Sequence, residues 1–317
     1  MGGRRVALLF PGQASQYVGM GKSLASAFPE AKDALVLAEQ VAGFSLIDLC
    51  FNGPESTLSL TEFQQPCVLA VSIAAYEVLR IRYHLKPVCV TGHSLGEYSA
   101  LVAAKSLAFE EAVPLVRTRG QLMQEAFGVG RGGMLALIGR DRIDVEGLCV
   151  AVSNDREQCW PSNYNSPAQV VISGHAAAID RAEKRAKNFG ARRVARLQVS
   201  APFHSPLMES AADIFARKLS PIEFKIPACP VYSNVTAEHH ADDPDAIRDL
   251  LVQQITAPVL FEQIGHRIAE DLGSDGIAIE IGPKTVLSGL MQKIAPEITV
   301  VNFGEAADLP GIEEVLG

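Results

Sequence analysis

The sequence predicts an α/β protein in which a large domain with a parallel sheet carries a smaller inserted unit. The apolar run Val6–Phe10 stops at Pro11-Gly12, as expected of a strand buried on both faces of a parallel sheet. A second run, 88–91, leads through a tight turn into an alanine-rich helix, 97–104. From 131 to 198, short apolar runs alternate with helical segments, which indicates a second α/β unit.

The composition is that of an ordinary globular protein. The chain has 317 residues, of which 48% are hydrophobic and 20% charged, so a substantial core is possible. The formal net charge of −8 argues against nucleic acid or an anionic membrane as the main partner, because both attract a basic surface. No apolar run approaches membrane-spanning length. Six cysteines without C-x-x-C spacing predict reduced core thiols, a cytoplasmic location and no metal site.

The remaining elements of the large domain are predicted from periodicity. Helices are expected at 21–28, 31–42 and 65–82, the last with a proline, Pro66, in its first turn. After the inserted unit, further strands are expected at 230–235, Ile277–Ile281 and 299–301.

Gln13 lies in the polar loop that follows the first strand. Ligands of open α/β sheets bind at the carboxyl ends of the strands. Gln13 is therefore a candidate to donate an amide hydrogen bond into a site shared with Ser94, and a solvated loop glutamine is the alternative.

The pentapeptide Gly92-His93-Ser94-Leu95-Gly96 joins the second strand to the alanine-rich helix. A G-x-S-x-G turn in this position is typical of a nucleophile elbow, in which flanking glycines avoid clashes at a sharp turn. Free N–H groups and the dipole at the start of the helix would stabilise an oxyanion there. The alternative is a serine that only caps the helix.

The segment 110–127 is predicted to be an amphipathic helix with an arginine on its apolar face. At about 100° per residue, Arg119 falls in the middle of the apolar stripe and Arg117 on the opposite face. A guanidinium on an apolar face needs an anion, either a protein carboxylate in a structural ion pair or a ligand. The stripe consists of Ala112, Leu115, Val116, Leu122 and Met123.

A glycine-rich connector at 128–133 leads into the inserted unit. Strands are expected at 134–138, 170–173 and 191–199, and helices at Val145–Val152 and 176–187. This order of elements predicts a ferredoxin-like subdomain at 131–198, so that 1–130 and 199–317 together form the large domain.

His204 is the best candidate for a general base among the seven histidines. It lies between two prolines, which stiffen its loop. His93 is next to the candidate serine in sequence and should point away from it. His239 and His240 lie in a polar loop that resembles a metal site only in composition, and a solvated loop is the favoured interpretation.

Several motifs together give the chain a family resemblance. In chain order they are Phe10-Pro11-Gly12-Gln13, Gly92-His93-Ser94-Leu95-Gly96-Glu97-Tyr98-Ser99-Ala100, Arg119-Gly120 with Met123-Gln124-Glu125, Asn163-Tyr164-Asn165-Ser166-Pro167, Phe203-His204-Ser205-Pro206 and Ile281-Gly282-Pro283. With them the chain resembles the free-standing malonyl-CoA:acyl carrier protein transacylases over nearly its whole length. The resemblance implies an α/β-hydrolase-like large domain with a ferredoxin-like insertion.

The resemblance also implies catalytic roles. Ser94 would be the acylated nucleophile, and His204 would be its base. Gln13 and the backbone N–H of Leu95 would form the oxyanion hole. The backbone carbonyl of Gln254 would orient the histidine in place of the aspartate of a triad.

The same resemblance implies the substrate contacts. Arg119 would bind the malonyl carboxylate, and the ring of Phe203 beside the base would crowd an α-methyl branch. The family often has an asparagine where this chain has Ala257, which puts an auxiliary side-chain contact there in doubt. The other expected substrate-binding residues are Gln13, His93, Met123 and Asn165.

The sequence therefore predicts malonyl transfer from malonyl-CoA to the phosphopantetheine thiol of an acyl carrier protein, with no bound cofactor. A serine esterase or thioesterase is one alternative, and it would need a carboxylate between serine and histidine in the chain. The stretch before His204 offers no convincing one. A non-catalytic scaffold that binds carrier protein is the other alternative, against which the intact Ser94, His204 and Arg119 argue.

A basic stretch of the inserted unit is a candidate docking surface for an acidic carrier protein. Because the whole chain is acidic, the attraction has to be local. A solvated surface is an equal alternative, since runs of charge usually serve solubility. The stretch contains Arg181, Lys184, Arg185, Lys187, Arg192, Arg193 and Arg196.

Overall fold

The computed structural model describes residues 4–128, 130–199 and 201–316. Over these ranges the strands form two four-stranded sheets, one parallel and one antiparallel. The strands are β1 (Val6–Phe10), β2 (Cys89–Gly92), β3 (Gly132–Gly139), β4 (Cys159–Ser166), β5 (Gln169–His175), β6 (Ala191–Arg196), β7 (Ile277–Ile281) and β8 (Thr299–Phe303).

Helices cover much of the rest of the chain. In the described ranges, no single helix is long and apolar enough to cross a membrane, although the second and third helices, bent by 120°, pass that test as a pair. The helices are α1 (Lys22–Ala27), α2 (Pro29–Ala42), α3 (Leu46–Asn52), α4 (Glu55–Leu58), α5 (Thr61–Tyr83), α6 (Gly96–Ala103), α7 (Phe109–Glu125), α8 (Val145–Val152), α9 (Ala176–Arg185), α10 (Glu209–Leu219), α11 (Pro244–Gln253), α12 (Phe261–Leu272), α13 (Val286–Ile294) and α14 (Leu309–Leu316).

The parallel sheet has the strand order β2-β1-β7-β8. Side chains of β1 alternate between two apolar cores. Leu8 and Phe10 pack with α5, whereas Ala7 and Leu9 pack with α12. Burial on both faces explains the uninterrupted apolar run, and the strand predicted at Val6–Phe10 is confirmed.

The antiparallel sheet has the strand order β4-β5-β3-β6, and α8 and α9 pack against one of its faces. The prediction for this unit lacked β4. That strand contains Pro161, Asn163 and Asn165, which are rare in strands, and its register shifts twice against β5. The alternation of apolar and polar residues is therefore lost. β6 also ends earlier than predicted, at Arg196.

Other predictions for the elements were wrong in detail. Helix α5 begins at Thr61, so that Pro66 lies inside it rather than in its first turn. The helices α3 and α4 were not predicted. The stretch 230–235 forms only isolated bridges through Val231 and Tyr232. Its pairing with β2 stops after one bridge, and further on the N–H of Asn234 donates to a side chain while the Asn234 carbonyl accepts from the chain before α12.

Candidate active site

Ser94 lies at the turn between β2 and α6, within one residue of the predicted element ends. Its φ of 52° is in the left-handed region, which a residue other than glycine rarely adopts. The neighbouring glycines are required by close packing. A Cβ on Gly92 would lie 2.0 Å from the carbonyl carbon of Gly96, and one on Gly96 would lie 2.0 Å from the Phe10 carbonyl oxygen. The turn is therefore pressed directly onto the end of β1.

His204 is hydrogen-bonded to Ser94. The distance from His204 Nε2 to Ser94 Oγ is 2.8 Å, and His204 Nδ1 lies 2.8 Å from the backbone carbonyl oxygen of Gln254. Since a carbonyl can only accept, Nδ1 carries the proton and Nε2 is free to accept the serine hydroxyl. His204 also has a positive φ, 57°.

The surroundings of His204 keep it uncharged. Burial, and then the positive charge of Arg119, lower the pKa of His204 from its ordinary value to about 3. The imidazole is therefore a neutral base throughout the physiological range.

Arg119 is fully buried on the inner face of α7. One terminal nitrogen donates to Gln65 Oε1 at 2.9 Å, and the other donates to Gln254 Oε1 at 2.8 Å and to Ser94 Oγ at 3.1 Å. The guanidinium also lies 5.3 Å from the ring centre of Tyr98. Burial lowers the pKa of Arg119.

No carboxylate of a described residue forms an ion pair with Arg119. The Nε atom of Arg119 is buried and has no hydrogen-bond acceptor among the described residues. Arg117, on the opposite face as expected, donates to the Ala42 carbonyl at 2.8 Å and packs over Phe44 and Phe63. The structural ion pair considered for Arg119 is thus not found among the described residues.

The side chain of Gln13 is turned away from the expected contact. Its Nε2 donates to Gln64 Oε1 at 2.6 Å, and its Oε1 accepts from Gln65 at 3.3 Å. Gln64 on α5 thus accepts from this amide and Gln65 donates to it, and among the described residues the expected amide donation toward Ser94 is not found. The loop itself is close, since a Cβ on Gly12 would lie 2.3 Å from the His93 carbonyl oxygen.

Leu95 is the N-cap residue of α6, the helix that follows the serine. Its side chain is buried, and the first N–H groups of α6 donate back to the carbonyls of the turn. Within the described ranges, the N–H of Leu95 itself has no acceptor. It is therefore available to a ligand at the start of the helix.

The other expected substrate residues fall into two groups. His93 Nε2 lies 2.7 Å from Oδ1 of Asn165 on β4, so the antiparallel sheet contributes a side chain next to the turn. Burial lowers the pKa of His93, which keeps it neutral. Met123 and Phe203 are both buried and belong to the main apolar core.

Sequence reasoning missed the polar residues behind the turn. Asn234 Oδ1 accepts from the N–H of Ser94 at 2.6 Å, and its Nδ2 donates to the Gly92 carbonyl at 2.7 Å. Glu97 and His240, both buried, form a pair at 2.8 Å. A sequence signal existed only for Glu97, a carboxylate in the first turn of an otherwise apolar helix.

Two of the clefts on the described surface lie beside helices α5 and α7. The smaller, of about 300 Å³, lies between the start of α5, Gln124 on α7 and residues 197–199. It approaches the site, because the backbone of Thr61, which lines it, packs against Gly120 next to Arg119. The larger, of about 610 Å³, lies between α2, α5 and α7 and is lined by none of the site residues.

The described ranges contain no group of side chains that could hold a metal ion.

The family is decided by a match between residues 7–302 and the model of the acyl transferase domain. The chain belongs to the acyl transferase family. It is 39% identical over 310 residues to the malonyl CoA-acyl carrier protein transacylase of Staphylococcus aureus, covering 98% of this chain and 99% of that protein. It is 41% identical to the corresponding protein of Bacillus subtilis, covering 92% and 90%.

Solved structures of this family share the fold. The malonyl CoA-acyl carrier protein transacylase of Coxiella burnetii superimposes with a TM-score of 0.94 at 36% identity, covering 99% of each chain. A second match is a type II PKS acyl-carrier protein in complex with its malonyl-transacylase, with a TM-score of 0.93 and 39% identity over 98% of this chain and 99% of that one. The mixed α/β fold with a parallel and an antiparallel sheet is therefore that of the family.

Proposed function

We propose that this chain transfers a malonyl group from malonyl-CoA to the phosphopantetheine thiol of an acyl carrier protein, through a malonyl ester on Ser94. The observation that carries the proposal is the position of Arg119. It is a buried cation without a carboxylate partner in the described ranges, 3.1 Å from the oxygen that His204 can deprotonate. The names of the relatives support the same substrate and partner.

The first half-reaction makes the acyl-enzyme. His204 Nε2 takes the hydroxyl proton, and Ser94 Oγ bonds to the thioester carbon. The N–H of Leu95 and the backbone N–H of Gln13 hold the resulting oxyanion. The carbon–sulfur bond then breaks, and coenzyme A leaves with the proton from His204.

The second half-reaction runs the same steps in reverse. The carrier-protein thiol gives its proton to His204 and attacks the ester carbon, and Ser94 recovers the proton as it leaves. The Gln254 carbonyl holds the ring in one tautomer through both steps. No bound cofactor is needed for this chemistry.

Arg119 selects an acyl group that ends in a carboxylate. Its planar donors suit a bidentate carboxylate, and the charged contact would replace hydrogen bonds to the neutral Gln65 and Gln254. Holding that carboxylate also fixes the thioester carbonyl beside the serine. We assign the walls of the acyl site to Met123, Phe203, His93 and Asn165, with Phe203 crowding an α-methyl branch.

The proposed architecture is an α/β-hydrolase-like domain of residues 1–130 and 199–317, with a ferredoxin-like subdomain at 131–198. The β-α-β-β-α-β order of the antiparallel unit and its strand order β4-β5-β3-β6 support the second assignment. The Ser94 turn after β2 supports the first. We also propose a cytoplasmic location, which the six free cysteines favour.

Only some residues of the basic stretch are suited to form the proposed docking surface for the carrier protein. Arg181 pairs with Glu157, and Arg196 pairs with Asp180 and Glu183, so their charges are already balanced. The remaining basic residues of the stretch form no ion pair with a described residue. They are Lys184, Arg185, Lys187, Arg192 and Arg193, and we propose that they attract the acidic partner.

Adding carrier protein to purified malonyl-enzyme tests the proposal. Transfer predicts that malonate appears on the phosphopantetheine thiol of the holo carrier protein and not on the apo form. An esterase or thioesterase would release free malonate at the same rate with either form. A scaffold would never form the malonyl-enzyme.

A further inference from the structure

We infer that Glu97 and His240 form a buried positioning pair that holds both members of the Ser94–His204 dyad in place. The inference rests on the proposed function, because it concerns the same nucleophile and base. Neither residue touches the reacting atoms. Each acts through one of two intermediaries, Asn234 and Gln254.

Glu97 is fully buried and accepts hydrogen bonds from three different parts of the chain. Its Oε1 lies 2.8 Å from His240 Nε2. Its Oε2 accepts from Gln254 Nε2 at 2.6 Å and from the backbone N–H of Asn234 at 3.0 Å. A buried carboxylate is stable only when it is paired and hydrogen-bonded, and these donors supply that.

The Gln254 side chain connects this carboxylate to the catalytic cation. Its Oε1 accepts from Arg119 at 2.8 Å, and its Nε2 donates both to Glu97 and, at 3.1 Å, to the Ser94 carbonyl. An acceptor and a donor on opposite sides permit only one orientation of the amide. The backbone carbonyl of the same residue holds His204 Nδ1, so fixing Gln254 fixes the base.

Asn234 connects Glu97 to the nucleophile. Its backbone is held by Glu97, and its side chain bridges the N–H of Ser94 and the carbonyl of Gly92 across the turn. Both Ser94 and His204 have a positive φ, a conformation that persists only where the surroundings over-determine it. The Glu97–His240 pair is the common anchor of both supports.

His240 supplies one directed hydrogen bond to this arrangement. Its Nε2 faces Glu97, while its buried Nδ1 has no partner in the described part of the chain. The Glu97 carboxylate oxygen can only accept a hydrogen bond. The Nε2 atom of His240 must therefore carry the hydrogen that is donated to it. Removing that donor would leave one buried carboxylate oxygen without its partner and free Glu97 to turn away from Gln254 and Asn234.

The test measures the reactivity of Ser94 with a neutral probe, phenylmethanesulfonyl fluoride, which has no carboxylate for Arg119. We expect His240→Leu to slow sulfonylation of Ser94 and malonylation at saturating malonyl-CoA alike, by about 10- to 100-fold, because small misplacements of reacting groups cost that much. The apparent affinity for malonyl-CoA should change much less. His240→Gln, whose Nε2 can donate from a similar position, should recover most of the rate.

The matched control is His239→Leu in the same loop. The His239 ring is partly exposed, packs at a tilt against the Tyr232 ring and lies 3.6 Å from Asp271, away from Glu97. His239→Leu should leave the rates of sulfonylation and malonylation unchanged. Glu97→Met, which keeps a similar length but removes every acceptor for these hydrogen bonds, should slow both reactions and gives a second test should His240→Leu not fold. Thermal melts and near-ultraviolet spectra report folding for every variant.

Two results overturn the inference in different ways. Wild-type labelling rates in folded His240→Leu or folded Glu97→Met would contradict the positioning role alone. A wild-type protein that the probe labels at a residue other than Ser94 would overturn the proposed nucleophile and the positioning role with it.

Discussion

Arg119 on α7 and Arg196 on β6 differ in what surrounds their guanidinium groups. Arg196 is exposed and pairs with Asp180 at 2.5 Å and with Glu183 at 2.7 Å. Arg119 is fully buried and contacts only neutral amides and a hydroxyl among its described hydrogen-bond partners. Sequence alone marked both as members of basic or amphipathic segments.

The difference shows which charges are held ready for a ligand. An exposed ion pair contributes about 0–1 kcal/mol and satisfies its own charge. A buried cation without an anion is unfavourable unless hydrogen bonds stabilise it. Binding of a ligand carboxylate would lower the free energy of this buried charge. We therefore expect substitutions in the buried site to change acyl transfer itself, and substitutions in the basic stretch beside the antiparallel sheet to change only the encounter with the partner.

The largest effect is expected at His204. His204→Ala should slow malonylation of the enzyme by about 10²- to 10⁴-fold, the usual contribution of a general base. Rapid-quench measurement of malonyl-enzyme formation gives this rate. His266→Ala, at an exposed position of α12, is the control. A normal rate in His204→Ala would assign the base elsewhere.

Arg119→Ala should come next and should be specific to the carboxylate. Losing a buried charged contact costs about 2–5 kcal/mol, or roughly 30- to 5,000-fold in malonylation, whereas acetylation from acetyl-CoA should fall far less. Arg196→Ala is the matched control from the exposed region. The ratio of malonyl to acetyl transfer is the measurement, and an unchanged ratio in Arg119→Ala would remove the basis for selection.

Burial of His204 should also appear in the pH dependence of stability. Its pKa is lowered to about 3 in the folded protein, whereas an unfolded histidine titrates near 6.5. Below pH 6.5 the unfolded chain binds a proton that the folded one does not. The free energy of unfolding therefore decreases as the pH is lowered, by up to about 1.4 kcal/mol per pH unit down to about pH 3. Above pH 6.5 this contribution is absent.

Urea unfolding between pH 7 and 4.5 checks the sign. A glutamine at position 204 does not titrate, so the free energy of unfolding of His204→Gln should decrease less steeply than that of the wild type as the pH is lowered. The contributions of the carboxylates are the same in both proteins and cancel in the difference. Parallel curves would show that His204 is not buried in its neutral form.

The smallest effect is expected for the basic stretch beside the antiparallel sheet. Arg185→Glu with Arg192→Glu should raise the KM for carrier protein several-fold at low salt and leave self-malonylation intact, because steering acts on association and is screened over about 8 Å at physiological ionic strength. Lys22→Glu with Lys32→Glu, at exposed positions of α1 and α2, makes the same change of charge elsewhere. Equal effects of the two double variants would place docking outside the basic stretch.

The elements that sequence predicted well are those with an unbroken local pattern. Val6–Phe10, Val145–Val152 and Ile277–Ile281 form as expected because their apolar spacing depends on neighbours within the element. β4 was missed because its shifted register against β5 hides the alternation.

The same limit applies to the site. The placement of Ser94 in a strand-to-helix turn and of Arg119 on a buried helix face follows from local patterns, so both could be predicted from the sequence. Glu97 meets His240 and Gln254 across 143 and 157 residues of chain, and Ser94 meets Asn234 across 140. No local pattern encodes these contacts, which arise only when the carboxyl edge of the parallel sheet assembles.

The most direct test of the central claim is the mass of the protein after incubation with malonyl-CoA, followed by peptide mapping. The account predicts one added malonyl group, on the peptide that contains Ser94, and none in Ser94→Ala. A malonyl group on another peptide, or an adduct that persists in Ser94→Ala, would contradict it.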